Sequence, residues 1–481
     1  YFTPENKTRF SDGFRKVFED ALIANEKTLW YTDFVTMTKG GNSMETLKFD
    51  MQKDCGTFKP LNATNGGPRH KRHAKEQWIT NFEDYKKARI PYSRNHDANL
   101  SGSTYGGPFT VDISVIFPNF DADPEDPASY DFACTDESIL VALDAGTETF
   151  YRLGQSIEHQ VKKHDTFPPK DFKKWAVICE HVIRHVNGDF ADGLNLNLKY
   201  WEIWNEPELD PDDRPLKRTW GGTTAQFYDF FETAAKHLKS CFPDLMIGGP
   251  ATSGRDESWE LAFIEEMHKR HVPLSFYSWH IYSVDPSLIV QRGARIRKML
   301  DDNGYEKTQS ICNEWNYVKG WTADYLYSVE TIGSIKGAAF VLATMCAAQK
   351  SSIDMLMYYD TRPSSFCGAF DYYTARPKKP YYALYWYGMF YDCVKEVRCS
   401  ESVPGIYTLC GVDKNGKRMA VITHYSNNDG TRAQDVALDL GAPGEYDIYR
   451  LDGTTDGQFV KTVSDLSFSL PVYTSLLIKE K

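Results

Sequence analysis

A chain of 481 residues is longer than the roughly 250–300 residues that one hydrophobic core usually serves, so we expect one large domain and a smaller one. With 41% hydrophobic and 25% charged residues, the composition is that of a globular protein with a packed core. The net charge of −11 argues against a nucleic-acid partner, which requires concentrated Lys and Arg. No run of about 18 apolar residues occurs, so we expect no membrane-spanning helix.

The N-terminal segment, residues 1–53, contains two strand-like stretches at 30–38 and 46–51. We expect part of this segment to pair with the sheet that the C-terminal region forms. The sequence begins at Tyr1 rather than Met, which we take to mean that a leader has been removed. This favours a secreted or periplasmic protein, with a cytoplasmic one as the alternative.

Residues 54–392 alternate short apolar runs with amphipathic stretches. The predicted strands are 57–61, 90–93, 138–143, 199–204, 245–248, 275–280, 309–313 and 352–359. The predicted helices are 172–186, 224–241, 259–271 and 328–349, of which the first repeats apolar residues at i, i+3 and i+4. Eight strand–helix alternations predict an α/β fold of the (β/α)8 TIM-barrel type. No G-x-G-x-x-G follows the first strand, which argues against a dinucleotide-binding fold.

Residues 393–481 lose the helical period and predict an additional antiparallel β-sandwich domain. Turn signals such as Asn427-Asn-Asp-Gly and Asp452-Gly separate the apolar runs. The predicted strands are 406–412, 418–425, 434–438, 446–451, 458–463 and 467–478.

Two glutamates stand at the ends of predicted barrel strands. Glu206 follows the fourth strand directly, and Pro207 stops that strand; Glu314 follows the seventh. Because the carboxyl ends of all eight strands meet at one mouth, we expect these carboxyl groups to face each other. A lone Glu at a strand end is usually a solvated surface group, but both of these follow apolar strands and sit among Trp and Asn, where a charge is costly unless function retains it. Glycoside hydrolysis requires such a pair: an acid for the leaving oxygen and a second carboxylate that attacks or activates water.

Metal chemistry has little support in the sequence. The ten cysteines are scattered without a C-x-x-C or a Cys/His ligand spacing, which argues against zinc. His181 and His185 lie one helical turn apart, but the order H-E-x-x-H is missing. We therefore expect neither a metal nor a cofactor.

Four segments, taken together and in their order along the chain, resemble family 39 in clan A of the glycoside hydrolases. This family includes β-xylosidases and α-L-iduronidases. Residues 201–207 (Trp-Glu-Ile-Trp-Asn-Glu-Pro) resemble the acid/base segment, and residues 313–316 (Asn-Glu-Trp-Asn) resemble the nucleophile segment. Residues 279–282 (Trp-His-Ile-Tyr) resemble the His-x-Tyr of strand six, and residues 94–97 (Arg-Asn-His-Asp) resemble a strand-two segment. The resemblance implies a retaining glycosidase with Glu206 as acid/base and Glu314 as nucleophile.

The same resemblance implies roles for residues around the two carboxyl groups. Asn205 would donate to the sugar 2-hydroxyl, and Tyr282 would orient Glu314 by a hydrogen bond. His280 and His96 would contact ring hydroxyls, although a buried core histidine is the usual alternative. Phe150, with Tyr151, would form a wall of the sugar subsite.

The segment after strand eight departs from the family, whose xylosidases carry a Trp and then a Glu pair there. Asp360 and Arg362 stand in this segment and are the candidates to replace that pair; Arg362 would suit a carboxylate-bearing sugar, although it is also a natural partner for an Asp. We therefore predict an exo-acting, retaining glycosidase for a plant or host glycan, with the carboxyl groups about 5–5.5 Å apart. The sugar is a xylose, or an arabinoside, galactoside or uronide in an altered subsite. The alternative is a glycan-binding protein that kept the barrel and lost catalysis.

Overall fold

The first described strand lies just before the barrel. The computed structural model describes residues 44–72, 79–97, 110–363 and 366–481. Strand β1, Glu45–Lys48, pairs in parallel with a strand near the C-terminus (Glu45 opposite Val436). The other stretch that the sequence suggests for this sheet, 30–38, lies outside the described residues.

Eight parallel strands close into a barrel, each pairing with its neighbours in chain order. The last strand pairs back with the first, with Ala63 opposite Met357. This confirms the predicted (β/α)8 fold. The barrel strands are β2 Ala63–Asn65, β3 Tyr92–Arg94, β4 Glu148–Leu153, β5 Tyr200–Ile203, β6 Met246–Thr252, β7 Phe276–Ser283, β8 Gln309–Tyr317 and β9 Met355–Tyr358.

Helices between the strands pack their apolar faces on the barrel. Helix α4, Phe172–Asn187, begins at a cap, because the Asp171 side chain accepts from the amides of Lys173 and Lys174. Its inward positions are buried from Trp175 to Val186. Helix α5, Thr224–Cys241, begins at a capping box formed by Thr223 and Gln226. The helices are α1 Phe82–Lys87, α2 Ile113–Ile116, α3 Ala133–Asp144, α4 Phe172–Asn187, α5 Thr224–Cys241, α6 Glu257–Lys269, α7 Pro286–Asp302, α8 Tyr325–Ile332, α9 Ile335–Gln349 and α10 Lys379–Met389.

Three predictions inside the barrel are wrong. The apolar run 138–143 belongs to helix α3, and the third strand is β4; a short apolar run has no periodicity that separates a strand from a buried helix face. The first strand is β2 rather than 57–61. The predicted helix 328–349 is two helices, because Ser334 caps the start of α9 by accepting from the Gly337 amide.

The C-terminal region contributes eight strands to two sheets: β10 Cys393–Val397, β11 Ile406–Asp413, β12 Arg418–His424, β13 Gln434–Asp439, β14 Tyr446–Leu451, β15 Asp456–Val463, β16 Ser467–Leu470 and β17 Ser475–Glu480. A six-stranded sheet has the order β10-β11-β12-β17-β14-β15, and a three-stranded sheet has the order β1-β13-β16. Their facing sides bury a separate apolar core that includes Leu47, Val436 and Ile478. The predicted strand 467–478 is two strands, interrupted at Pro471.

The sandwich is fixed to the barrel by polar contacts as well as by packing. The Tyr425 hydroxyl donates to the Val284 carbonyl at 2.6 Å. The Lys336 ammonium on α9 donates to Asp429 Oδ1 at 2.7 Å and to the Asn427 carbonyl at 3.0 Å. These bonds join the rim of the barrel to the loop that follows β12.

Among the described residues, no single helix has the length and apolar composition needed to cross a membrane. Helices α8 and α9 meet that criterion only as a pair, and they are bent by 75° at their junction.

Candidate active site

The two ends of the barrel differ in character. Seven apolar side chains fill the interior nearer the strand starts: Ala63, Phe150, Tyr200, Phe276, Ile311, Met355 and Met357. Polar and charged residues occupy the carboxyl ends, where a cavity of about 970 Å³ opens. This is the end at which barrel enzymes bind their substrates.

Three groups of side chains line the cavity. The polar centre consists of His96, Asp97, Asn205, Glu206, His280, Tyr282 and Glu314. The arginines are Arg218, Arg255, Arg292 and Arg295. The aromatic residues are Trp321, Tyr325, Tyr359 and Phe366.

Glu206 is held in a tight turn that directly follows β5. Its φ is +46° and that of Trp204 is +73°, so the chain turns sharply at the strand end. The Glu206 amide donates to the Ala251 carbonyl at 2.9 Å, and the Thr219 hydroxyl donates to the Glu206 carbonyl at 2.6 Å. These bonds fix the position from which the side chain enters the cavity.

The Glu206 carboxyl is only 13% exposed and shares a 2.8 Å hydrogen bond with His280 Nδ1. Burial raises the pKa of Glu206 to about 7, against the opposing charge of Arg94. The same burial lowers the pKa of His280 to about 4, so the imidazole is neutral at pH 7. A carboxyl group with a pKa near 7 is protonated often enough to act as an acid.

Glu314 has different partners. Arg94 Nη1 donates to its Oε1 at 2.7 Å and the Tyr282 hydroxyl donates to its Oε2 at 2.9 Å. Burial raises the pKa of Glu314, and the charge of Glu206 adds to the rise, while His280 and Arg94 oppose it. A guanidinium in direct contact favours the ionised carboxylate. Asp97 and Asp210 are the carboxylates whose charges raise the pKa of Glu206.

The two carboxyl groups are close. One carboxylate oxygen of Glu206, one ring nitrogen of His280 and one carboxylate oxygen of Glu314 all lie within 4.8 Å of one another. Retaining glycosidases hold their carboxyl groups about 5–5.5 Å apart, whereas inverting enzymes leave about 6.5–9.5 Å for a water molecule. An oxygen–oxygen distance within 4.8 Å agrees with the shorter of these two separations.

Arg94, at the end of β3, organises this centre, and the sequence analysis did not include it among the site residues. Its fully buried guanidinium donates to Glu314, to Glu202 Oε2 at 2.7 Å and to Asn205 Oδ1 at 2.7 Å. Glu202 also accepts from the Ser278 hydroxyl. The only sequence signal was its place in the segment 94–97.

Asn205 and His96 line the cavity near the carboxyl groups. Because Asn205 Oδ1 accepts from Arg94, its amide nitrogen is the atom left to donate to a ligand. His96 Nδ1 accepts from Arg152 Nε at 3.1 Å, and burial keeps the pKa of His96 well below its usual value. Its neutral ring therefore presents Nε2–H, 3.4 Å from Asp97 Oδ1.

Three expected sugar contacts are not in the cavity lining. Phe150 is fully buried in the barrel interior, stacked on Tyr200 with ring centroids 5.2 Å apart. Asp360 is also fully buried and accepts from Arg362 at 2.6 and 2.9 Å. Arg362 donates further to the Asp97 carbonyl at 2.8 Å. We therefore correct the assignment of Phe150 to a core residue, and that of Asp360 and Arg362 to an ion pair behind the cavity wall.

Several lining residues have no distinct sequence signal. Tyr359 covers the Asp360–Arg362 pair, and its hydroxyl accepts from Arg362 Nη2 at 3.1 Å. Trp321 is 55% exposed and meets the Tyr282 ring edge-on at 5.0 Å. Single aromatic or arginine residues in loops are common, and only the fold brings these together.

The chain is similar to known glycosyl hydrolases. The model of "Glycosyl hydrolases family 39" matches residues 47–316. A β-xylosidase of Caldicellulosiruptor saccharolyticus is 28% identical over 182 residues, 36% of this chain and 35% of that protein. A β-xylosidase of Geobacillus stearothermophilus is 31% identical over 125 residues, 25% of this chain and 23% of that protein. The matched segments thus span about a third or less of these curated relatives.

Among solved structures, a glucosidase from Croceicoccus marinus superposes with a TM-score of 0.74 at 20% identity, covering 91% of this chain and 99% of that one. At this identity the likeness supports the fold alone. The family match, in contrast, extends over more than half of the sequence and includes both glutamates. The chain belongs to family 39 of the glycosyl hydrolases.

Proposed function

We propose that this protein is a retaining, exo-acting glycoside hydrolase that cleaves its substrate by double displacement, with Glu206 as acid/base and Glu314 as nucleophile. The observation that carries the proposal is the pair of buried carboxyl groups with oxygens within 4.8 Å of each other. Their different surroundings support different roles. The reaction requires no group beyond side chains and water.

In the first step, protonated Glu206 gives its proton to the glycosidic oxygen as that bond breaks. The Glu314 carboxylate attacks the anomeric carbon and forms a glycosyl ester. Arg94 and Tyr282 hold Glu314 in place, so little reorganisation is needed during the attack. The amide nitrogen of Asn205 is available to donate to the sugar 2-hydroxyl, a bond that strengthens as positive charge develops at the anomeric carbon.

In the second step, ionised Glu206 takes a proton from water, whose oxygen attacks the anomeric carbon. The ester bond breaks and Glu314 leaves as a carboxylate. Two inversions give a product with the substrate's anomeric configuration. The loss of the leaving group makes room for the water next to Glu206.

We infer a neutral glycone. Near Glu314 the lining offers Asp97, His96 and the Tyr359 ring, which suit hydroxyl groups. The guanidinium of Arg362 is neutralised by Asp360 behind this wall, so it offers no free charge to a uronide carboxylate. Xylosides, arabinosides and galactosides remain the candidates, and the two curated relatives are named as β-xylosidases.

Exo action is part of the proposal. The cavity of about 970 Å³ is at the upper end of the size range of small-ligand pockets. It accommodates a terminal sugar and a leaving group better than a long polymer. The products formed from an oligosaccharide labelled at its reducing end distinguish the release of single sugars from internal cleavage.

The test is turnover of a panel of 4-nitrophenyl glycosides by the wild type and by Glu206→Gln and Glu314→Gln. We expect Glu314→Gln to lose at least about ten-thousandfold in kcat on every substrate, because no ester can form. In Glu206→Gln, kcat should fall less on nitrophenyl glycosides than on alkyl glycosides, because a nitrophenolate leaves without a proton. The matched control, Glu306→Gln, changes an exposed helix-flanking glutamate and should retain activity.

The proposed activity is refuted if the wild type hydrolyses no glycoside and all four proteins bind glycans equally well. That result would favour a glycan-binding protein on a glycosidase barrel.

A further inference from the structure

We propose that the leaving-group side of the cavity binds a carboxylate, so that the released part of the substrate carries an acidic sugar such as a uronic acid. The inference rests on the proposed function, which defines the leaving-group side. It concerns the four cavity-lining arginines, Arg218, Arg255, Arg292 and Arg295, here called the arginine wall.

The arginine wall occupies one continuous sector of the barrel rim. Arg218 lies in the loop between β5 and α5, Arg255 follows β6, and Arg292 and Arg295 lie on α7 after β7. These three strands are neighbours in the barrel. The exposed ring of Trp321 instead follows β8, in the next sector.

Hydrogen bonds connect this sector to the acid. Arg255 Nη1 donates to the Leu209 carbonyl at 2.9 Å, and the Leu209 amide donates to the Glu206 carbonyl at 3.1 Å. The positive charge of Arg218 acts on the Glu206 carboxyl, whose pKa it lowers against the effect of burial. Because Glu206 gives its proton to the leaving oxygen, the leaving group lies beside these arginines.

The positive charge of the wall is only partly cancelled. Arg218 must share Asp210 with Arg214, at 2.7 and 2.6 Å. Arg292 pairs with Glu260 at 2.6 Å, and Arg295 pairs with Glu257 at 3.2 Å.

Among the residues that the structure describes, Arg255 has no carboxylate partner. Of its guanidinium nitrogens, only Nη1 has a hydrogen-bond partner there, the Leu209 carbonyl. The protonation of Glu208 also keeps this sector cationic. Glu208 accepts from the Ser253 amide and hydroxyl, both at 2.6 Å, and burial raises its pKa to about 8, so it is mostly neutral at pH 7.

The loop that carries Arg255 is built around the wall. Gly254 has a φ of +78°, and a Cβ at this position would come within 2.7 Å of the Arg292 guanidinium. Arg292 is itself 5% exposed, and its Nε has no hydrogen-bond partner among the described residues. Glycine thus lets the Arg255 loop pack directly on a second guanidinium.

A carboxylate fits this arrangement better than a neutral hydroxyl group. The planar guanidinium fork matches the two oxygens of a carboxylate, and the bonds are charge-assisted. On the glycone side, Arg362 pairs with Asp360, Arg94 with Glu202 and Glu314, and Arg152 with Asp112. The charge available to a substrate therefore lies on the side of the leaving group. Glu206 is protonated when the substrate binds and does not repel an acidic group.

The experiment compares two aryl glycosides of whichever sugar the wild type prefers. One carries a 4-carboxymethyl group on the phenol and the other its neutral carboxamide; the methylene spacer keeps the two leaving-group pKa values similar. We expect kcat/KM to be about tenfold higher for the carboxylate. The ratio should fall toward one with rising salt, because the exposed guanidiniums are screened.

Arg255→Gln should lower this ratio to near one, whereas Arg432→Gln, an exposed arginine of the sandwich, should leave it unchanged. Equal rates for both glycosides in the wild type overturn the inference while the glycosidase function stands. A ratio unaffected by Arg255→Gln overturns the assignment to the arginine wall. Failure of the wild type to cleave even 4-nitrophenyl glycosides refutes the proposed function itself.

Discussion

Glu206 and Glu314 enter one cavity, but their hydrogen-bond partners differ. Glu314 accepts from a guanidinium and a phenol, whereas Glu206 shares its hydrogen bond with a neutral imidazole. Burial alone would raise the pKa of both carboxyl groups. The partners separate them, because Arg94 is in direct contact only with the group that must be ionised.

This difference predicts a bell-shaped pH profile for kcat/KM. Activity should fall as pH rises through about 7, because Glu206 loses the proton that it must donate. It should also fall at acid pH, where Glu314 takes up a proton. In Glu206→Gln the alkaline limb should disappear from the profile measured with a 4-nitrophenyl glycoside. An alkaline limb that persists unchanged in this variant would assign the acid to another group.

Tyr282→Phe removes one of the two donors to Glu314. We expect kcat/KM to fall about ten- to hundredfold, since hydrogen bonds to charged groups contribute about 1.5–3 kcal/mol. The lost donor favoured the ionised form, so the pKa of Glu314 should rise and the acid limb should move to higher pH.

The control for this variant is Tyr373→Phe, whose ring is 76% exposed. A loss of activity in Tyr282→Phe without a shift of the acid limb would mean that Tyr282 contacts the substrate rather than Glu314.

The sequence places Glu206 and Glu314 after predicted strands, and both line the cavity. Only Glu206 follows its strand, because β8 continues through Glu314 to Tyr317. The part played by Arg94 is not visible, because Glu202, Asn205 and Glu314, which its guanidinium connects, lie more than one hundred positions away along the chain. Asp360 and Arg362 show the opposite problem: their residue types suit a sugar, but only coordinates reveal that they pair with each other.

At the level of strands, an irregular pairing aligns the polar groups. Trp279 pairs with Cys312, but the next residue, His280, pairs with Glu314, so Asn313 is the extra residue of β8. Such bulges redirect side chains near active sites. Here the shift brings His280 next to Glu314, and Asn313 donates to Glu202 beneath them. Alternation of side chains along a strand does not predict where a bulge lies.

The assignment of Phe150, on strand β4, to the barrel core can be tested by substitution. Because this ring packs in the barrel interior, Phe150→Leu should destabilise the fold by about 1–2 kcal/mol through imperfect packing. The KM for the best glycoside should stay within about twofold of the wild type. Urea unfolding and steady-state kinetics measure the two effects. A raised KM at unchanged stability would return Phe150 to the sugar subsite.

At the scale of the whole molecule, the sandwich supports the rim of the barrel through Lys336, whose side chain is only 8% exposed. Lys336→Gln shortens the side chain and breaks its bonds to Asp429, Asn427 and Tyr327. We expect the thermal midpoint to fall by about 2–6 °C. Lys307→Gln, at an exposed position between α7 and β8, should have no effect. Equal midpoints for the two variants would mean that this contact contributes nothing to stability.

The alternation of strands and helices predicted the barrel, and the loss of the helical period after residue 392 predicted the sandwich, because both patterns extend over many residues. The distribution of charge around the cavity was not predictable. The chain carries a net charge of −11, yet one sector of its cavity is lined by four arginines from three separate loops and helices. Only closure of the barrel brings them to one place.

The most direct test of the account is the identity of the covalent intermediate. Glu206→Gln is mixed with a 2,4-dinitrophenyl glycoside of the preferred sugar, quenched in acid and analysed by mass spectrometry. Without a base to activate water, the glycosyl-enzyme should accumulate, adding one sugar residue to the peptide that contains Glu314. The adduct should be missing when Glu314→Gln is added to the same chain. Turnover with no adduct, or an adduct on another residue, would contradict double displacement at Glu314.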